Sequence, residues 1–341
     1  MVPSRPGRSL AGVCPCRFEI AECSLHEVEL LRGELGASDA LAQVLVRRGM
    51  AEPALARAFL EGSEEHPPAA FAGIGEAVQA ILRHLADGTR ITVHGDYDVD
   101  GICSTALLVR VLRGLGADVD SYLPDRASDG YGLGAATVQR LATRGTRLLI
   151  TVDCAITAVD EVAAAQALGV DVVVTDHHAP RSDGVLPLAP IVHPALCGYP
   201  CRDLCATAVA YKLAQALLEA CEGHPAAFGL DDAACARTRR GLQEDLDLVA
   251  LATIADVVSL VGENRALVRR GLRALASTTK LGLRALMSVA GVDPSKVNER
   301  SVAFALAPRL NAAGRLYRAD AGLELLLSTD PARAEQIARE L

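Results

Sequence analysis

Residues 90–116 read RITVHGDYDVDGICSTALLVRVLRGLG, and the change of period inside this stretch decides the fold. A short β-rich run, RITVHG, passes through an acidic turn into ICSTALLVRVLRGLG, whose apolar positions recur with helical spacing and close on glycine. The unit then repeats. VDSYLP is followed by AATVQRLATRG, LLITVD by AVDEVAAAQALG, and DVVVTD by a Pro-rich loop and IVHP. Continuous apolar strands alternating with helices predict an α/β fold with a doubly wound, parallel, five-stranded sheet covered on both faces. Right-handed crossovers place all strand C-termini on one edge, so the residues directly after the strands gather at one place.

Upstream, from Leu25 to about Ala86, LAQVLVRRG and ALARAFLEG each carry an apolar face that stops at a glycine, and SEEHPP at 63–68 reads as a hinge. Beyond Asp203 the pattern is almost wholly helical, through LCATAVAYKLAQALLEA, DLDLVALATIADVV, ENRALVRRGLRALAST and AGLELLLS. The expected partition is a helical N-terminal leader over 1–70, the sheet-bearing domain over 71–260, and a helical extension over 261–341. The closing DPARAEQIAREL is amphipathic and has no glycine or proline stop, so the chain reads as a fragment.

Composition narrows the function classes. The 341 residues are 50% hydrophobic and 22% charged, enough for a large core and too little bias for disorder. A net charge of −8 argues against a surface coated with phosphate-binding charge. Residues 261–320 nevertheless hold eleven Lys and Arg against four Asp and Glu, a local +7. No apolar run approaches the roughly 18 residues of a membrane span. The leader's apolar patch is broken at Gly12 and Pro15, so a cytoplasmic location is expected. Of the ten cysteines, Cys103, Cys154, Cys221 and Cys235 read as small hydrophobes. Cys14 with Cys16, and Cys197, Cys201 and Cys205, lack the spacing of a zinc or iron–sulfur site and read as thiols.

The strand ends carry the chemistry. Strand one runs into His94, Asp96, Asp98 and Asp100, which share one face if the chain stays extended as far as Gly101. Two unit charges about 4 Å apart cost about 4 kcal/mol at an effective dielectric near 20, and a divalent cation relieves that repulsion. A solvated acidic loop is the bland alternative. Against it, strand three ends at Asp153 and strand four at Asp176, His177 and His178, so Asp and His recur at three ends of one sheet. Imidazole mixed with carboxylate suits manganese, zinc or iron, whereas an all-oxygen shell suits magnesium or calcium. Asp256 lies in the apolar stretch LATIADVV, where a carboxylate must pair, cap or complete a metal shell.

With these residues assembled, the sequence resembles the DHH phosphoesterase superfamily and, within it, the RecJ-type single-stranded-DNA exonucleases. The anchors are HGDYDVDGICSTALL at 94–108, LPDRASDGYGL at 123–133, LLITVD at 148–153, VVTDHH at 173–178, DLVALATIADVVSL at 247–260 and APRLNAAGRL at 307–316. The resemblance implies that residues 71–260 are a DHH domain with two divalent cations, manganese ahead of magnesium. His94, Asp98 and Asp153 would hold one ion, and Asp100, Asp153, His177 and Asp256 the other, with Asp96 supporting the shell. His178 would face the scissile phosphate, and Asp176, by its position, would orient a histidine; with Asp153 these form the expected catalytic set.

The implied reaction is hydrolysis of single-stranded DNA from a 5′ end to mononucleotides, in DNA repair and recombination. A helicase or single-strand-binding protein would be the partner. Phosphate contacts are expected from Arg126, Arg309, Asn311 and Arg315, since arginine engages phosphate in a bidentate fork. Surface ion pairing and, for Asn311, helix capping are their ordinary alternatives. Aromatics make up 3% of the chain with no Trp, leaving Tyr97, Tyr131 and Tyr317 for stacking, with Tyr131 in the binding set.

Three stretches depart from the family pattern. Asp153-Cys154-Ala155 stands for Asp-Asn-Gly, His193-Pro194 for Asn-Pro, and Cys205-Ala206-Thr207-Ala208 for a Gly-rich turn. None removes an expected ligand, and His193 reads as a loop residue before a phosphate contact. The family's glycine-rich histidine motif of a second domain is absent. The competing functions are a short-oligoribonucleotide or cyclic-dinucleotide phosphodiesterase, and a non-catalytic DHH scaffold.

Overall fold

The computed structural model describes residues 19–125, 130–223, 225–228, 231–316 and 320–341, excepting the side chains of 223, 227, 228 and 313–316. Two compact units are present, Met1–Glu61 and Gly62–Leu341. In the first, α1 (Leu25–Leu35), α2 (Asp39–Arg47) and α3 (Pro53–Glu61) enclose a small core of Val28, Leu31, Ala42, Leu45 and Ala56. Ser24 and Ser38 start α1 and α2 by accepting the Glu27 and Leu41 N–H groups.

The second unit opens with α4 (Ile74–Ala86) and then alternates strand and helix. In order come β1 (Ile91–His94), α5 (Val99–Gly114), β2 (Val119–Tyr122), α6 (Ala135–Thr143), β3 (Leu148–Val152), α7 (Val159–Ala167), β4 (Asp171–Thr175) and the short β5 (Ile191–Val192). All pairings are parallel, in the order β2-β1-β3-β4-β5. This is the doubly wound five-stranded sheet expected from the alternating pattern. Side-chain alternation divides its two faces. Leu148, Ile150 and Val152 enter the large core with α4, α5 and later helices, whereas Leu149, Val172 and Val174 pack with Val138, Leu141 and Val162 of α6 and α7.

The remainder is helical: α8 (Ala206–Gly223), α9 (Asp232–Glu244), α10 (Leu246–Ala255), α11 (Gly262–Ala276), α12 (Leu281–Val289), α13 (Glu299–Ser301), α14 (Ala307–Leu316), α15 (Ala321–Leu327) and α16 (Pro331–Glu340). A π-helical turn, Val302–Leu306, joins α13 to α14. No helix among the described residues is long and apolar enough to cross a membrane.

Two buried ionic clusters tie these helices to one another and to α5. Lys280 Nζ lies 2.9 Å from both Asp245 and Asp247, and Arg110 of α5 donates to Asp245. Lys212 of α8 and Glu263 of α11, both fully buried, meet at 2.7 Å. Lys212 also donates to the His66 carbonyl, while Glu263 accepts from Tyr199 Oη and the His66 N–H. Removing one member strands the other charge in the core. Lys212→Met is therefore expected to cost about 3–5 kcal/mol, read as a lower urea midpoint, with Lys212→Met/Glu263→Leu recovering much of the loss.

Candidate metal centre

The C-terminal edge of the sheet receives β1, β3, β4 and α10, and each delivers acid or imidazole. β1 ends at His94, and the chain does not stay extended to Asp100 as the alternation argument required. Asp96 lies in a turn, Asp98 is the N-cap of α5, and Asp100 rides on that helix's first turn. The turn closes tightly because residues 95 and 101 lack side chains. A Cβ on Gly101 would stand 2.3 Å from the Asp96 carbonyl oxygen, and one on Gly95 would stand 2.1 Å from the Thr105 hydroxyl.

Asp98 Oδ1 accepts the N–H groups of Asp100 and Gly101 at 2.9 and 3.0 Å. Asp100 is fixed from α8: its Oδ2 accepts Ala206 N–H at 2.6 Å, and its Oδ1 accepts the N–H and hydroxyl of Thr207. A helix N-terminus presents unsatisfied N–H groups to an anion, so this cradle suits a carboxylate. Burial nonetheless raises the Asp100 pKa. The Ala206–Thr207 cradle is the functional feature that residue-type reasoning missed, and the changed residues at 205–208 were its only local sign.

Asp153 follows β3 in a left-handed conformation, φ 61°. Burial first, then repulsion from Asp100, Asp98, Asp176 and Asp96, pushes its carboxyl well above the usual range. Asp176 after β4 is the contrasting acid. Burial opposes its ionisation, yet hydrogen bonds from His178 and the Ile156 N–H hold its pKa below the ordinary value. As an ionised acceptor 2.8 Å from His178 Nδ1, it fixes that nitrogen as the donor. The same contact raises the His178 pKa.

Three sets of donor atoms lie within 4.8 Å of one another: Asp153, His177 and His178; Asp100, His177 and Asp256; and Asp96, Asp98 and Asp153. Asp153 and His177 each belong to two sets. Asp153 Oδ1 and His177 Nε2 stand 3.2 Å apart, both buried and neither hydrogen-bonded. An imidazole nitrogen and a carboxylate oxygen this close, buried and without a hydrogen bond, match the donor set of a divalent cation. Asp256, at the end of α10, lies 3.8 Å from His177 Nδ1, and burial followed by Asp100 raises its pKa to about 6.

His94 is in none of the three sets. Its ring stacks on Tyr122 at 5.5 Å and its Nδ1 is 3.6 Å from Cys154 Sγ. His193 is buried: Nε2–H donates to the His178 carbonyl at 2.8 Å, and Nδ1 accepts from Ala195 and Leu196. It braces the loop carrying the paired histidines.

Of the expected substrate residues, Tyr131 is 56% exposed and stands edge-on to His178 at 6.1 Å. Arg309 is half-buried, with its Nε enclosed and not hydrogen-bonded. Asn311 spends its amide oxygen on Val99 N–H, capping α5 from 212 residues away. Arg315 is in α14, but its side chain, like Arg126 and Tyr317, lies outside the described residues. Cys197, Cys201 and Cys205 are in none of the donor sets found among the described residues.

Residues 90–253 match the DHH family, N-terminal domain. The single-stranded-DNA-specific exonuclease RecJ of Bacillus subtilis is 39% identical over 330 residues, which are 95% of this chain and 39% of that protein. RecJ of Thermus thermophilus is 40% identical over 291 residues, 84% of this chain and 40% of that protein. The crystal structure of T. thermophilus RecJ with Mn2+ superimposes with a TM-score of 0.76 at 34% identity, covering 93% of this chain and 43% of that one. A manganese-bound exonuclease RecJ gives 0.69 at 39% identity, covering 79% of this chain and 64% of that one. The chain thus spans less than half the length of these curated relatives. Over the sheet and its strand-end acids, residues 90–253, this chain thus carries the DHH family's N-terminal domain, and over most of its length it is similar to RecJ.

Proposed function

We propose that this chain is the catalytic core of a metal-dependent single-stranded-DNA exonuclease that works from the 5′ end and releases 5′-mononucleotides. The observation that carries the reading is the convergence of Asp153 Oδ1 and His177 Nε2, buried and without hydrogen bonds, where three donor sets meet. Two divalent cations, manganese ahead of magnesium, fit those donors; His94, Asp96, Asp98, Asp100, Asp153, His177 and Asp256 would hold them. The relatives are single-stranded-DNA-specific exonucleases, and the structural neighbours carry manganese, which supports the same reading. Residues 71–260 would form the phosphoesterase domain between the leader at 1–70 and the extension at 261–341. A cytoplasmic location and a helicase or single-strand-binding partner go with it.

When bound, a pair of divalent cations supplies charge to polarise a phosphoryl oxygen and lowers the pKa of water at the site. The chain's own residues do the rest. His178, protonated and with Nδ1–H held by Asp176, would turn Nε2–H toward the phosphate, as a donor to the departing or non-bridging oxygen. Arg309 brings a half-buried guanidinium, the group that neutralises phosphate oxygens. Asn311 locks the α5 N-terminus, and with it Asp98 and Asp100, at one distance from α14. The scarcity of aromatics suits binding through backbone charge without base preference.

Digestion of 5′-labelled single-stranded DNA with manganese, beside a short oligoribonucleotide and a cyclic dinucleotide, tests the reading. Mononucleotide release from the DNA is expected, and cleavage of the short RNA alone would refute it. Asp153→Asn should lower the rate at least about 100-fold and abolish tight manganese binding in calorimetry. Because it removes a buried repulsive carboxylate, the same variant should melt a few degrees higher than the metal-free parent. Arg309→Ala should raise KM for DNA about tenfold or more, from the loss of a charge-assisted hydrogen bond, while calorimetric manganese affinity stays.

A further inference from the structure

Among the described residues three non-glycine positions have a positive φ: Asp153 at 61°, Ala155 at 82° and Val257 at 60°. The first two are buried in the turn after β3, where Asp176 accepts the Ile156 N–H and packing holds the chain in place. Val257 has no such support. It follows Asp256 at the C-terminal end of α10, the position at which glycine ordinarily ends a helix. A β-branched residue in the left-handed region is a conformational outlier. Its side chain is 86% exposed, so burial offsets none of that cost, whereas the next residue, Val258, packs against the core.

The location is specific. Asp256 is 3.8 Å from His177, the His177 and His178 rings are 4.5 Å apart, and Tyr131 stands beyond His178. An exposed aromatic ring thus stands past His178, and an exposed valine directly follows Asp256 in the chain.

We propose that Val257 is a specificity-determining residue whose isopropyl group packs against the sugar and base of the nucleotide at the metal centre. The inference rests on the exonuclease reading and deepens it. Besides its charged phosphate, a nucleotide offers an apolar deoxyribose edge and a base face. An aliphatic group covers both without reading base identity. The strained turn is then offset when substrate binds, so the side chain adds to discrimination between a nucleotide chain and a bare phosphodiester. If the turn served only to aim Asp256, glycine would make it at lower cost, and that contrast separates the two roles.

Val257→Gly and Val257→Ala test it, using thermal melting, manganese calorimetry, and hydrolysis of 5′-phosphorylated oligothymidylate beside bis(p-nitrophenyl) phosphate. Val257→Gly should melt higher than the parent and bind manganese with the parent's affinity. Its kcat/KM preference for oligothymidylate over the small diester should fall about tenfold, carried by KM, with Val257→Ala in between. An unchanged preference would overturn the contact, and weakened manganese binding would assign Val257 to aiming Asp256 instead. A parent chain that cleaves the small diester but no oligothymidylate would refute the exonuclease reading itself, before any variant is compared.

Discussion

Carboxylates crowded at one edge of a parallel sheet repel each other, and much of this molecule is arranged to keep them there. Three are neutralised by backbone N–H groups. Asp98 takes those of the first turn of α5, Asp100 those opening α8, and Asp176 those of Ile156, His177 and His178. Helix N-termini carry about half a positive charge, so the first two acids sit where the fold already supplies compensation. Asp153 is treated differently. Its Oδ1 is buried without a hydrogen bond, among other acids, and it belongs to two of the three donor sets. The acid that the fold leaves least compensated is thus the one common to two donor sets.

Holding that arrangement requires rigidity at both ends of α5. At its start, Gly95 and Gly101 let the acidic turn lie directly on the helix, and Asn311 reaches in from α14 to take the Val99 N–H. Near its end, Arg110 is tied to Asp245, which shares Lys280 with Asp247. A shift of α5 would break a buried ion network at one end and separate Asp98 and Asp100 from their partners at the other. Lys212 and Glu263 do the same for α8, whose N-terminus cradles Asp100. The buried charges far from the edge serve the geometry at the edge.

What local patterns encode was legible in the sequence. The five strands and their helices follow from apolar periodicity, and the strand-end acids and histidines follow from the parallel topology. The alternation drawn through His94, Asp96, Asp98 and Asp100 failed because Asp98 competes for the N-cap of α5, which ends the extended run and puts Asp100 on a helix. His94 consequently meets Tyr122 and Cys154 and joins none of the donor sets. Helix capping was the ordinary reading of Asn311, but which helix it caps, and the role of Thr207, were beyond local reasoning: their partners, Val99 and Asp100, are 212 and 107 residues away. His193 could be weighed only by residue type until its ring nitrogens were seen holding the His178 loop.

The charge balance acquires a physical meaning from this layout. Asp96, Asp98, Asp100, Asp153 and Asp256 place five formal negative charges around one point, while residues 261–320 carry a local +7. A phosphodiester brought to that point without cations meets repulsion at short range, whatever the basic flank contributes over a Debye length of about 8–10 Å. In the proposed reaction two divalent cations would nearly cancel those five charges, leaving the arginines to act on the substrate unopposed. Cation and nucleic acid then favour each other's binding by the same factor, because linkage between two sites is reciprocal. The acidity that argued against a nucleic-acid ligand when only composition was considered becomes the reason its binding should depend on metal.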